Sequence, residues 1–324
     1  MKAAILTGAG LEIRDVPRPE PKPHEVLVRV RASGLNRADL LMAAGRPHGN
    51  AGGAGAIAGL EWAGEVAAVG REVRGVKPGD RVMCSGNGGY AEYAVTDAGR
   101  VSPIPANNMS YEQAATLPVA LQTMHDGVFT NGRLAEGETV LIQGASSGVG
   151  LMALQIAKLK GARLVIGSST NQERRARLAE YGADLAIDSR DPNWPEQVRQ
   201  ATGGAGVDLI VDQVSGGVMN QNMQAAAIQG RIVNVGRLGG FSGEFDFDLH
   251  ALKRLAYIGV TFRTRSPEEV REIVRRMRAD LWPAVERGTL RLPVDRVFPL
   301  EEAAAAQAHM RANNHFGKIV LSVS

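Results

Sequence analysis

The sequence predicts an α/β protein in two parts, a β-rich domain followed by a doubly wound, six-stranded parallel sheet. Two observations carry that prediction. Up to about Pro118, short β-branched or alternating runs are separated by Gly- and Pro-containing turns; from about Ala120, strand-like runs alternate with helix-period segments. Second, the apolar run Thr139-Val-Leu-Ile-Gln143 passes through Gly144-Ala-Ser-Ser-Gly-Val-Gly150 straight into the helix-period segment Leu151–Lys160. A strand that delivers a glycine turn into a helix N-terminus aims free N–H groups and the positive dipole end at one point.

In the first part, Lys2–Thr7, Glu25–Ala32, Trp62–Val69, Arg81–Met83 and Tyr90–Val95 read as strands, and Asn36–Ala44 as one short helix. The Gly- and Ala-rich stretch Gly45–Gly59 suits a mobile loop. In the second part the expected strands are Thr139–Gln143, Arg163–Gly167, Leu185–Ile187, Asp208–Asp212, Arg231–Val235 and Tyr257–Phe262. Between them lie helical stretches at Gln172–Tyr181, Pro195–Thr202, Val218–Ala227 and Asp248–Leu255, and connections of this length imply parallel strands with helices on both faces. Ser266-Pro-Glu-Glu269 opens a further helix with Ser266 as N-cap and Glu269 completing a capping box; Gly288 ends it. Its Arg271, Arg275 and Arg278 read as a solvated face. Strands at Val294–Leu300 and Lys318–Val323 are expected to rejoin the first domain, which gives boundaries of 1–119, 120–262 and 263–324.

Composition narrows the function classes. The 324 residues allow two domains and a sizeable core. A net charge of +3 with interspersed signs lacks the clustered basic stripe of a nucleic-acid binder, so no nucleic-acid partner is expected. The single cysteine, Cys84, excludes an internal disulfide and a thiolate metal cluster. No signal-like region or long apolar run occurs, so no membrane partner and a cytoplasmic location are expected.

The glycine turn departs from G-x-G-x-x-G by carrying Ser147 at the middle glycine, and by itself it fits a plain tight turn as well as a pyrophosphate site. In the phosphate reading, Gly144 makes the turn, Gly148 admits the phosphates, Gly150 lets the helix pack closely, and Ser147 adds a hydroxyl donor. Ala145, Ser146 and Val149 complete that loop. The second strand ends in Ser168, Ser169 and Thr170 where an NAD-selective site places an acid. A carboxylate about 4 Å from a ribose 2′-phosphate would cost on the order of 4 kcal/mol, whereas an arginine bond contributes ~1.5–3 kcal/mol. Arg174 and Arg175 follow in the next helix, and the expected cofactor is NADPH.

Several segments then carry a resemblance: Ala32-Ser-Gly-Leu-Asn-Arg-Ala-Asp39, Gly59-Leu-Glu-Trp-Ala-Gly-Glu-Val66, Gly75-Val-Lys-Pro-Gly-Asp-Arg-Val82 and Gly88-Gly-Tyr-Ala-Glu-Tyr93. Later ones are Gly230-Arg-Ile-Val-Asn-Val-Gly236 and Asn313-Asn-His-Phe-Gly-Lys-Ile-Val-Leu321. In this order the chain resembles the medium-chain dehydrogenase/reductase superfamily, and within it the zinc-free, zeta-crystallin-like quinone oxidoreductases. The resemblance implies a GroES-like catalytic domain, a Rossmann domain, a homodimer paired through the edge of the nucleotide sheet, and hydride transfer to a quinone. Reduction of an activated C=C bond and non-catalytic NADPH binding stay open beside it. In zinc-dependent relatives a Cys stands at Asn36 and a His at Leu60; a neutral Asn and Leu cannot supply a tetrahedral N/S site, so no metal is expected.

The resemblance also places Thr123 near the nicotinamide, Arg174 on the 2′-phosphate, and Gly236, Arg237, Phe262, Arg263, Asn314 and Lys318 around the cofactor, with Phe262 and Arg263 ending the sixth strand. Each of these also fits a purely structural role, and Arg175 reads as a solvated helix face. For catalysis, Asn36 is the candidate donor to the substrate oxygen, with Asp39 and Glu61 ordering it. The structural alternatives are a helix-turn contact for Asp39 and a buried, hydrogen-bonded acid for Glu61. The family's loop tyrosine is missing from Gly45-Arg-Pro-His-Gly49, which leaves the proton donor open; His48 is a candidate for it and equally fits a solvated loop histidine.

Overall fold

The computed structural model describes residues 1–8, 10–46, 48–49 and 51–324; Ala9, Asn50 and Pro47 of the Gly45–Gly49 loop lie outside the described residues. The chain divides into two compact units, Met1–Ala120 with Phe262–Ser324, and Leu121–Thr261.

In the first unit, β1 (Lys2–Thr7) and β2 (Gly10–Asp15) form an antiparallel hairpin. A larger sheet follows from β3 (Glu25–Gly34), β4 (Glu61–Val69), β5 (Arg81–Ser85), β6 (Tyr93–Asp97) and β7 (Val101–Pro103). Helix α1 (Arg37–Ala43) sits between β3 and β4, and α2 (Tyr111–Ala114) precedes α3 (Pro118–His125). After the second unit the chain adds α9 (Pro267–Glu286), β14 (Val294–Pro299), α10 (Ala303–Arg311) and β15 (Lys318–Ser322), the intervening numbers belonging to the second unit. The seven-stranded sheet has the order β14-β15-β3-β4-β5-β7, with β6 also on β3. Period-2 alternation buries Val26, Val28 and Val30 of β3 against Trp62, Val66, Ile319 and Leu321. Gly34 of β3 stands opposite Glu61 on one side and Val320 on the other. Helix α9 begins with the Ser266–Glu269 capping box, but Arg271 is not simply solvated: its guanidinium pairs with Asp97 at 2.5 Å.

In the second unit, α3 runs into one π-helical turn, Asp126–Asn131, which the sequence pattern does not announce. There follow β8 (Thr139–Gln143), α4 (Gly148–Leu159), β9 (Leu164–Ser168), α5 (Gln172–Ala176), β10 (Leu185–Ile187) and α6 (Trp194–Ala201). Next come β11 (Val207–Asp212), α7 (Met219–Ala225), β12 (Ala226–Asn234), α8 (Phe247–Lys253) and β13 (Ala256–Gly259). All six strands are parallel in the order β10-β9-β8-β11-β12-β13. The winding reverses between β8 and β11, where Gln143 and Asp212 are register partners, and ligands of such sheets bind outside the strand ends at that switch point. The expected strand Tyr257–Phe262 is shorter than its apolar run, because pairing with β12 ends at Gly259. Among the described residues, no helix is long and apolar enough to cross a membrane.

Candidate functional site

The first unit gathers a buried polar cluster where β3, β4 and β15 begin or end. Glu61 opens β4, Lys318 opens β15, and Asn36 lies two residues beyond β3 as the N-cap of α1. Gly34 makes the room: a Cβ there would fall 2.3 Å from the Ala115 carbonyl oxygen and 2.7 Å from Glu61 Oε1. Glu61 is fully buried and Lys318 is 5% exposed, and the two form an ion pair. The Lys318 ammonium also donates to the Leu35 carbonyl at 2.7 Å and to Asn36 Oδ1 at 3.0 Å. Asn36 Nδ2 donates to Glu61 Oε1 at 2.9 Å, and the Val119 N–H donates to Glu61 Oε2 at 2.8 Å.

Asp39 extends this cluster. Its Oδ2 accepts from the Asn36 N–H, the acidic half of a capping box, and from the Tyr90 hydroxyl, both at 2.7 Å. Its Oδ1 is buried without a partner among the described residues. Burial pushes the Asp39 carboxyl up to about 6, against the opposing pull of the bonds from Tyr90 and Asn36. Asn36, Asp39 and Glu61 are thus brought together. Tyr90 and the contacts of Lys318 lie beyond what the sequence reveals; the one available signal for Tyr90 is an aromatic hydroxyl in a segment that otherwise reads as strand core.

Lys318 is held inside the sheet by its ion pair with Glu61. Phe262 and Arg263 do not end a strand; they lie in the bend and turn after β13. For His48, burial and then the charge of Arg263 lower the pKa below its ordinary value, which favours the neutral ring and weighs against a role as proton donor. Asn314 is exposed beside the buried His315.

The second unit builds the glycine turn at the switch point. Gly144 takes φ +72°, the left-handed turn that glycine allows, and a Cβ on Gly150 would meet the Gly144 carbonyl oxygen at 2.6 Å. Ser147 is the N-cap of α4: its Oγ accepts from the Gly150 N–H at 3.1 Å and lies 3.0 Å from the Gly144 carbonyl oxygen and 2.9 Å from Gln213 Oε1. Its single hydrogen goes to one of those two acceptors, so Ser147 shapes the turn. Ser168 is likewise turned inward: fully buried, it donates to Gln143 Oε1 at 2.5 Å and accepts from the Gly144 N–H at 3.0 Å. The Ala145 N–H donates to the Ser168 carbonyl at 2.8 Å, and Ser169 Oγ bonds Ser146 Oγ at 3.0 Å. By helix geometry the N–H groups of Gly148 and Val149 have no partner within α4.

Arg174 is half-buried in the first turn of α5, whose N-cap Asn171 accepts its N–H. Arg175 is not a solvated residue; its guanidinium donates to the Ser169 carbonyl at 2.9 Å and pairs with Asp188 at 3.1 Å. Gly236 packs onto the Gln213 backbone, Arg237 contacts the Val235 carbonyl at 3.4 Å, and Thr123 is half-buried on α3. Sequence reasoning misses the buried relay beneath the turn. Gln143 Nε2 donates to Asn222 Oδ1 at 2.8 Å, and Asn222 Nδ2 donates to Asp212 Oδ2 at 3.0 Å. Burial raises the Asp212 carboxyl despite its bonds from Ser215, Val214 and Asn222. The turn fits a dinucleotide: two donors at a helix N-terminus, a side-chain-free Gly150 under it, and no carboxylate at Ser168, Ser169 or Thr170.

An alcohol dehydrogenase GroES-like domain model matches residues 22–106, and a zinc-binding dehydrogenase model matches residues 148–279. The metal in that second description does not fit the residues present. Asn36 is a carboxamide, Leu60 has no donor, Glu61 is saturated by Lys318, Asn36 and Val119, and an ammonium already occupies the space between Glu61 and Asn36. Among the described residues no group of three His, Cys, Asp or Glu side chains is placed to hold a metal ion. Over 97% of its length the chain is 33% identical to a mycocerosic acid synthase-like polyketide synthase of Mycobacterium tuberculosis, and it spans only 15% of that protein. It is 29% identical to a quinone oxidoreductase of Rattus norvegicus, over 95% of this chain and 92% of that one. The solved structure of CurK enoyl reductase superposes with a TM-score of 0.87 at 28% identity, covering 100% of this chain and 99% of that one. With both domain models matched in order over the β-rich sheet and the glycine-turn sheet, this chain belongs to the medium-chain dehydrogenase/reductase superfamily of NAD(P)-dependent oxidoreductases.

Proposed function

We propose that the chain is an NADPH-dependent, zinc-independent reductase of the zeta-crystallin-like quinone oxidoreductase type, transferring a hydride to quinones. The first unit acts as the catalytic domain and Leu121–Thr261 as the NADP-binding domain. The observation that carries this reading is the cluster of Asn36, Glu61 and Lys318, in which an organised amide stands where zinc-dependent relatives place a metal ligand. Bound NADPH supplies the hydride. The Gly148 and Val149 N–H groups receive the pyrophosphate, and Ser169 and Arg174 face the 2′-phosphate, which favours NADPH over NADH. Thr123, Gly236, Arg237, Phe262, Arg263 and Asn314 keep their proposed places around the cofactor. Asn36 donates to the substrate oxygen as negative charge develops there.

Proton supply favours quinones. Hydride addition to a quinone leaves a hydroquinone monoanion, a weak base that takes its proton from water and completes the hydroquinone. Hydride addition to an enone leaves a far more basic enolate, whose rapid protonation calls for a placed acid. Burial and the charge of Arg263 lower the pKa of His48, which disfavours it as that acid. Reduction of an activated C=C bond stands as the second reading because of the likeness to an enoyl reductase. NADPH oxidation is to be followed with a panel of quinones and a panel of enones and enals. Turnover with quinones supports the proposal, turnover with enones alone selects the second reading, and NADPH binding without turnover selects a sensor or structural role. We further infer a homodimer from the resemblance; light scattering that returns the mass of one chain would contradict the dimer.

A further inference from the structure

We propose that Lys318 is the positioning residue of this site, a buried ammonium that fixes the Asn36 amide with its N–H side as the donor. The inference rests on the reductase reading. An ammonium carries three hydrogens and accepts nothing. Those of Lys318 meet three acceptors, the Leu35 carbonyl, Asn36 Oδ1 and Glu61 Oε1, so all three are spent. Lys318 is therefore a fixed charge and not a proton donor.

The amide orientation follows from valence. Facing an ammonium, Asn36 must present Oδ1; facing a carboxylate, it must present Nδ2. Half a turn about the Cβ–Cγ bond of Asn36 would set oxygen against the Glu61 carboxylate and N–H against the Lys318 ammonium, with both contacts repulsive. Donation from Lys318 into Oδ1 also polarises the amide and strengthens Nδ2 as a donor. One Nδ2 hydrogen goes to Glu61. The other meets the Gly34 carbonyl at 3.5 Å, the outer limit of a hydrogen bond, and remains able to serve a ligand oxygen. Buried ion pairs are an uneconomical way to stabilise a core. What this pair adds is the orientation of Asn36.

Two variants separate positioning from folding. Lys318→Met leaves Glu61 buried without its counter-ion and can fail to fold. The double variant Lys318→Met/Glu61→Gln removes both charges together, keeps the shape, and leaves the Asn36 amide free to turn. The probes are NADPH, benzoquinone and the side-chain amide signals of Asn36 in a ¹⁵N spectrum, assigned by their loss in Asn36→Asp. The expected double variant melts near the native temperature and binds NADPH with unchanged affinity by fluorescence titration. Its kcat with benzoquinone falls roughly tenfold to a hundredfold, and its Asn36 amide protons move toward the positions of a free amide. Unchanged kcat in a folded double variant, or unmoved Asn36 signals, would overturn the proposal. If the native protein oxidises no NADPH with any acceptor, the reductase reading fails, while the amide signals still decide whether Lys318 orients Asn36.

Discussion

Asp39 carries two hydrogen bonds on one carboxylate oxygen and has no partner on the other among the described residues. Burial raises its pKa from 3.8 to about 6, which corresponds to about 3 kcal/mol of preference for the neutral acid in the folded chain. Because the folded-state value lies above the unfolded one, this contribution to stability is complete below about pH 4 and is lost as the pH rises through about 6. Asp39→Asn cannot ionise, and its amide oxygen still accepts from Tyr90 and the Asn36 N–H. Its unfolding free energy is therefore expected to gain on the native chain by up to about 3 kcal/mol between about pH 4 and pH 8. Denaturant titrations across that range check this; a constant difference would show that Asp39 ionises freely. At this scale the sequence is only partly legible. Asn36, Asp39 and Glu61 stand out as polar residues in apolar surroundings. The partner that organises them, Lys318, lies 257 positions from Glu61, and nothing local in sequence reports a contact of that span.

At the scale of elements, the strand and turn from Thr139 to Gly150 are readable because apolar run, glycine turn and helix period agree with one another. Where local and tertiary preferences conflict, the sequence misleads. Ala225-Ala-Ala reads as the end of a helix, yet β12 begins at Ala226, where the chain pairs with Val207 of β11. The serines of the turn show a similar effect. Ser147 reads as a ligand donor and Ser168 stands where an NAD-selective site places an acid, but backbone N–H groups of the turn are bonded to both hydroxyls. The close fit of α4 on the turn gives a test. In Gly150→Ala the new Cβ would meet the Gly144 carbonyl oxygen at 2.6 Å and the Ala145 backbone at 2.7 Å, all of it main chain with no flexible end to move aside. Displacing the α4 N-terminus from the turn is expected to weaken NADPH binding at least about tenfold, equivalent to ~1.4 kcal/mol. Unchanged affinity in a fluorescence titration would mean that the α4 N-terminus does not hold the pyrophosphate.

At the scale of the whole molecule, the six-stranded parallel sheet follows from counting strand and helix alternations, and right-handed crossovers leave few other ways to arrange them. The seven-stranded sheet is less legible. The link from β15 to β3 and β4 joins the two ends of the chain, and that pairing assembles the Asn36, Glu61 and Lys318 cluster. The central claim is that this cluster and bound NADPH suffice for hydride transfer to a quinone without a metal. The direct measurement is the initial rate of NADPH oxidation by benzoquinone, before and after exhaustive treatment with a zinc chelator. The account predicts turnover at the same rate in both, and faster than with NADH. A rate that vanishes on chelation and returns with added zinc, or no turnover at all, would contradict it.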